Sequence, residues 1–87
     1  MITAKQARDF TTTQTMVECY DLLESAIKAA ARCGETYAHA TISLPYLNDE
    51  IAKWACNILV QNGYAVNLFK ATDKINVKDY YTFMIRW

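Results

Sequence analysis

Two glycines and one proline in 87 residues leave few places where this chain can break its secondary structure, and those three residues fix the outline of the fold. Gly34 stands where a left-handed residue would end a helix, Pro45 closes a strand, and Asn62-Gly63 is a second helix stop. No repeat, low-complexity tract or linker lies between them. The reading is a single domain over residues 1–87.

The segments between the breaks differ in period. Thr3 to Gln6 fits a Thr-x-x-Gln capping box and predicts a short helix over 4–10, with Ala7 and Phe10 facing inward; the run Thr11-Thr12-Thr13 then interrupts it. A second helix is predicted to start at Thr11 or Thr15, since Thr11-x-x-Gln14 and Thr15-x-x-Glu18 both fit the box. Met16, Tyr20, Leu23, Ile27 and Ala30 recur at steps of four and three as its apolar stripe, opposite Glu18, Asp21, Ser25, Lys28 and Arg32. Over 36–44 the period changes to two, with Ala38, Ala40, Ile42 and Leu44 sharing one face of a strand.

Asn48, followed by Asp49 and Glu50, is a helix start with acid in its first turn, and Leu47, Ile51, Trp54, Ala55 and Ile58 give the inward stripe of a helix over 49–62. Tyr64–Ala71 and Tyr80–Trp87 read as two further strands, separated by the polar segment 72–79. The predicted order is α-α-β-α-β-β. A strand, a helix and a strand in sequence favour a right-handed parallel crossover, and the last two strands an antiparallel hairpin. The expected fold is therefore a small α+β domain: a three-stranded mixed sheet with the two long helices packed on one face.

Composition narrows the function. A hydrophobic fraction of 53% with 21% charged residues places the chain among folding domains, away from disorder. Nine Lys+Arg balance nine Asp+Glu, so the basic excess of a sequence-independent nucleic-acid binder and the acidic excess of a DNA mimic are both missing. Neutrality also leaves little repulsion against self-association, and a homo-oligomer is expected. Cys19, Cys33 and Cys56 are an odd number without a CxxC pair and read as reduced, small apolar residues. The start of the chain lacks an apolar leader, and no apolar run is long enough to span a bilayer, so neither secretion nor a membrane partner is expected.

The functional reading comes from the far side of the predicted sheet. With Ala40, Ile42, Leu44, Val66, Leu68, Phe83, Ile85 and Trp87 facing the helices, alternation sends Tyr37, His39, Thr41, Asn67, Phe69, Tyr80, Thr82, Met84 and Arg86 to the opposite face. Aromatic residues, Met and Arg are enriched at contact surfaces, and the candidate ligand- or partner-binding residues are Tyr37, His39, Asn67, Phe69, Tyr80, Met84 and Arg86. A solvated sheet face with scattered apolar groups is the plainer alternative.

Catalysis finds little support. His39, the one histidine, has no partner at ligand or dyad spacing, and Asp49 and Glu50 are explained by the helix dipole. Asp73, Lys74, Lys78 and Asp79 read as a solvated loop. No Gly-rich phosphate loop, nucleophile elbow, HExxH or calcium loop occurs. The expectation is a protein that is not an enzyme, with no catalytic residue, metal or cofactor.

The opening Met1-Ile2-Thr3-Ala4-Lys5-Gln6-Ala7-Arg8, the stop Asn62-Gly63-Tyr64 and the ending Tyr81-Thr82-Phe83-Met84-Ile85-Arg86-Trp87 resemble small accessory proteins of tailed bacteriophages. That resemblance implies a product made in the cytoplasm of an infected bacterium that blocks a host process, such as host defence, by binding. Two modes fit: capture of a nucleotide-like immune signal, by rings that stack on a base and an Arg that holds phosphate, or occlusion of a host protein. A structural homo-oligomer without a ligand is the alternative, and a small hydrolase the third.

Overall fold

Helix α1 spans Ala4–Arg32 in the computed structural model, which describes residues 1–87. It begins with the predicted capping box, the Gln6 amide donating to Thr3 Oγ1 at 3.2 Å and the Thr3 amide to Gln6 Oε1 at 2.9 Å. The expected break at Thr11-Thr12-Thr13 is absent, and the two predicted helices are one. Thr11, Thr13 and Thr15 donate their hydroxyls to the carbonyls of Ala7, Asp9 and Thr11, so groups that could have capped a new helix are satisfied inside this one. Its buried residues are Thr15, Cys19 and Leu23. The stripe is thus turned by about one residue from the predicted one, leaving Tyr20 exposed.

Strand β1 (Tyr37–Ile42) follows Gly34, whose φ of 79° ends α1 as expected. Helix α2 (Asp49–Gln61) is capped by Asn48, whose Oδ1 accepts from the Ile51 amide at 2.9 Å, and is stopped at Gly63. Its deepest residues, Ala52 and Ala55, bring the helix backbone close to the sheet, while the predicted Trp54 and Ile58 flank that contact half-buried. Strands β2 (Ala65–Asp73) and β3 (Lys78–Arg86) form a hairpin whose turn is only residues 74–77. Asp73 closes the turn by accepting from the amides of Ile75 and Asn76. Val77 completes it in the left-handed region, at φ 51°.

The strand order is β1-β3-β2, and both ladders are antiparallel. This corrects the expected mixed sheet: β1 and β2 run parallel, as a crossover requires, but β3 inserts between them. The observed order is α-β-α-β-β. Burial explains the insertion, because Tyr81, Phe83 and Ile85 of β3 are at most 2% exposed, whereas β2 contains no fully buried residue. The strand with most apolar surface to hide takes the centre.

Both helices lie on one face, α1 against β1 and α2 against β2, and they touch each other. Cys19, Leu23, Ala55, Leu59, Phe83 and Ile85 sit at the heart of the core between the layers. Ahead of Thr15, α1 has no buried side chain; residues 4–14 are about 16 Å of helix whose Phe10 reaches only a shallow groove at Pro45 and Tyr46. The Cα radius of gyration, 14.3 Å, accordingly exceeds the ~12 Å of a compact domain of this length. No helix is long and apolar enough to cross a membrane.

Candidate functional site

The sheet face turned away from the helices carries all seven candidate residues. Antiparallel register sets them in rows: Tyr37, Arg86 and Ala65; then His39, Met84 and Asn67; then Thr41, Thr82 and Phe69; then Tyr80 beside Ala71. Side chains opposite one another in such rows lie within contact reach. The Thr41 and Thr82 hydroxyls are 3.1 Å apart and bond across the strands, and the Tyr37 and His39 rings are tilted at 53° with centroids 5.9 Å apart. Tyr37 and Phe69 are about half exposed, at 50% and 54%, while Tyr80, Met84 and Thr82 on the central strand are half-buried. Both helices pack against the inner side of the sheet, and only the end of α1 reaches the border of the outer face, where Ala29, Ala30 and Cys33 flank Tyr37 and His39.

Charge on the face is sparse and one-sided. Asp73 and Lys78 close one end, where Asp73 is committed to the turn, and Arg86 stands at the other. No carboxylate lies in the rows between them, and Arg86 makes no ion pair. Chain neutrality conceals this polarity: the hairpin, residues 65–87, holds four Lys+Arg against two carboxylates, and the remainder holds the opposite imbalance. The nearest carboxylate, Glu35, lines the depression beside Tyr37 and His39 but forms no ion pair with Arg86, and an unpaired guanidinium flanked by a phenol ring is suited to an oxyanion attached to a flat apolar group.

A second polar group lies on the helix-facing side, drawing on residues that the sequence assigns to a helix cap and a solvated loop. Tyr81 Oη donates to Asp49 Oδ1 at 2.7 Å, Lys70 Nζ sits 3.3 Å from the same oxygen and 3.8 Å from Asp79 Oδ2, and Thr72 Oγ1 donates to Asp79. Tyr81, then Lys70, hold the Asp49 carboxyl below its ordinary range; Asp49, then Asp79, push the Lys70 ammonium up. Burial first, then the hydrogen bond to Asp49, raises the Tyr81 phenol. Each charge is thereby fixed in its neutral-pH form, which makes this cluster a clamp between the start of α2 and the sheet. The period-two alternation that puts Phe83 and Ile85 inward also puts Tyr81 there, and that was the available signal.

The thiols divide by position. Burial, with a smaller contribution from Cys56, pushes Cys19 up to about 11, and burial raises Cys56 as well, so both behave as packing groups. Cys33 differs from the expectation of a packed helical thiol: it is the exposed C-cap of α1 and lines a shallow depression with Tyr37 and His39. No group of three His, Cys, Asp or Glu side chains is arranged to hold a metal ion. Comparison with protein-family models, with curated proteins and with solved structures finds no match for this chain.

Proposed function

We propose that this protein acts by binding, without catalysis, and that its working surface is the uncovered sheet face, which takes a nucleotide-like ligand. The observation that carries the reading is the unpaired Arg86 beside Tyr37, on a face that bears three more aromatic rings in His39, Phe69 and Tyr80 and no carboxylate in its central rows. Rings of this kind stack on a base at little cost in side-chain entropy, and a guanidinium meets phosphate through paired hydrogen bonds. Asn67 and the Thr41–Thr82 pair supply polar groups for the edges of a base. In the setting implied by the resemblance to phage accessory proteins, holding such a molecule blocks a host process, including host defence, by withholding its signal.

Isothermal titration with a panel of cyclic and linear nucleotides tests the reading. Heat is expected with at least one of them, and Tyr37→Ala or Arg86→Ala should weaken that binding about tenfold or more. Silence across the whole panel would remove the nucleotide and leave the face to a host protein.

A further inference from the structure

We infer that the outer edge of β2 pairs with the β2 edge of a second copy, joining two sheets into one of six strands. Strand β2 lies at the sheet edge and pairs with β3 through all nine of its residues without a bulge. Its amides and carbonyls on the outer side have no partner, since every backbone bond outside the helices and ladders falls elsewhere in the chain. Nine extended residues make an edge of about 30 Å. Open edges of that length are normally guarded by proline, a bulge, a covering element or a lysine held at the rim. Here the one lysine, Lys70, points to the helix side, where Asp49 and Asp79 pair with its charge. The edge is therefore long and free of bulges and proline, and its one inward-pointing lysine is offset by carboxylates, whereas the other edge strand, β1, has only six residues.

The strand's own sequence favours a second copy as the occupant. The antiparallel register with full overlap of residues 65–73 is centred on Phe69, so Phe69 meets Phe69 of the second copy. In that register Asn67 lies opposite Ala71, Lys70 opposite Leu68 and Asp73 opposite Ala65, so no like charges stand directly opposite, and the two Lys70, diagonal to one another, are each already paired with carboxylates of their own chain. The neutral chain adds no long-range repulsion. The two uncovered faces then become continuous, with the Phe69 pair on the two-fold axis and each Arg86 toward opposite ends. Pairing through the edge leaves that face free and does not rest on the nucleotide reading.

Sedimentation of the full chain through a dilution series tests the pairing, with two double variants chosen at exposed positions that face one another only in the dimer. The wild type is expected at twice 10.0 kDa. Asn67→Lys with Ala71→Lys sets lysines opposite lysines at two places and should raise the dimer Kd about tenfold. Asn67→Lys with Ala71→Glu sets opposite charges there instead and should restore pairing. Thermal midpoints measured alongside separate dissociation from unfolding. A wild type that is monomeric throughout, a double-lysine variant that dimerises as the wild type does, or a Lys/Glu variant that fails to recover overturns the inference. A dimer that gives no heat with any nucleotide leaves it standing and removes only the proposed ligand.

Discussion

Adjacent residues on β3 should respond in opposite ways to truncation, because Met84 faces outward and Ile85 inward. Ile85 is fully buried in the core cluster between the sheet and both helices. Replacing it by Ala removes three carbons, about 2.4 kcal/mol of transfer free energy at ~0.8 per methylene, and the cavity left behind raises the cost to about 3 kcal/mol or more. For a domain of this length that is roughly 16 °C in Tm, a large part of a total stability on the order of 4–13 kcal/mol. Met84→Ala, on the half-buried central strand of the open face, should cost about 1 kcal/mol or less, and should weaken nucleotide binding instead. Differential scanning calorimetry of both variants, with titration of the folded one, gives the comparison. Equal losses of Tm from the two would mean that something in the chain covers the outer face, and the argument for a binding surface there would fail.

Four further predictions bear on the clamp, the thiols and the hairpin turn. Tyr81→Phe should raise the Asp49 carboxyl toward its ordinary value, read by NMR titration; an unmoved midpoint refutes the hydrogen bond. Since the folded-state value of Asp49 is depressed, its contribution to stability is complete above the ordinary value near 3.8 and is lost as pH falls through the folded one, so Asp49→Asn should flatten the acid limb of the stability curve. Cys33 should alkylate at once in the native protein and Cys19 only on unfolding, and labelling of both at one rate, followed by mass spectrometry, would contradict the burial of Cys19. Val77→Asn should stabilise the hairpin by about 1 kcal/mol, because a β-branched residue is held at φ 51° where Asn is tolerated; a lowered Tm would be the contrary result.

Local signals were legible and their long-range consequences less so. Thr3-x-x-Gln6, Asn48, Gly34 and Gly63 do in the structure what their types predict, and period-two alternation assigns every residue of the candidate face. The threonine run misled because a hydroxyl that can cap a helix can equally bond back to the carbonyl four residues earlier, and only the continuing helix decides between them. Strand order departs from the expectation for a different reason. The adjacency rule for a strand–helix–strand unit competed with the burial demand of Tyr81, Phe83 and Ile85, and the second won. Alternation already turns Tyr81 inward with Phe83 and Ile85, but its partners there, Asp49 and Lys70, come from distant segments that no local pattern joins to it.

The inserted central strand also orders events during folding. Hairpin β2–β3 closes a loop of four residues, from Asp73 to Lys78, whereas the nearest pair of the β1–β3 ladder, Ile42 with Tyr81, encloses 38. Loop entropy separates these closures by about 2 kcal/mol. The hairpin therefore has the kinetic advantage, and β1 finds no strand neighbour until it exists. Until β1 arrives, β3 presents a bare edge of its own beside the outer edge of β2, so the nascent hairpin is open on both sides. Docking of β1 together with α1 closes the inner side, making that long-range closure the step that commits the chain to its fold and the interval before it the one most exposed to misassociation.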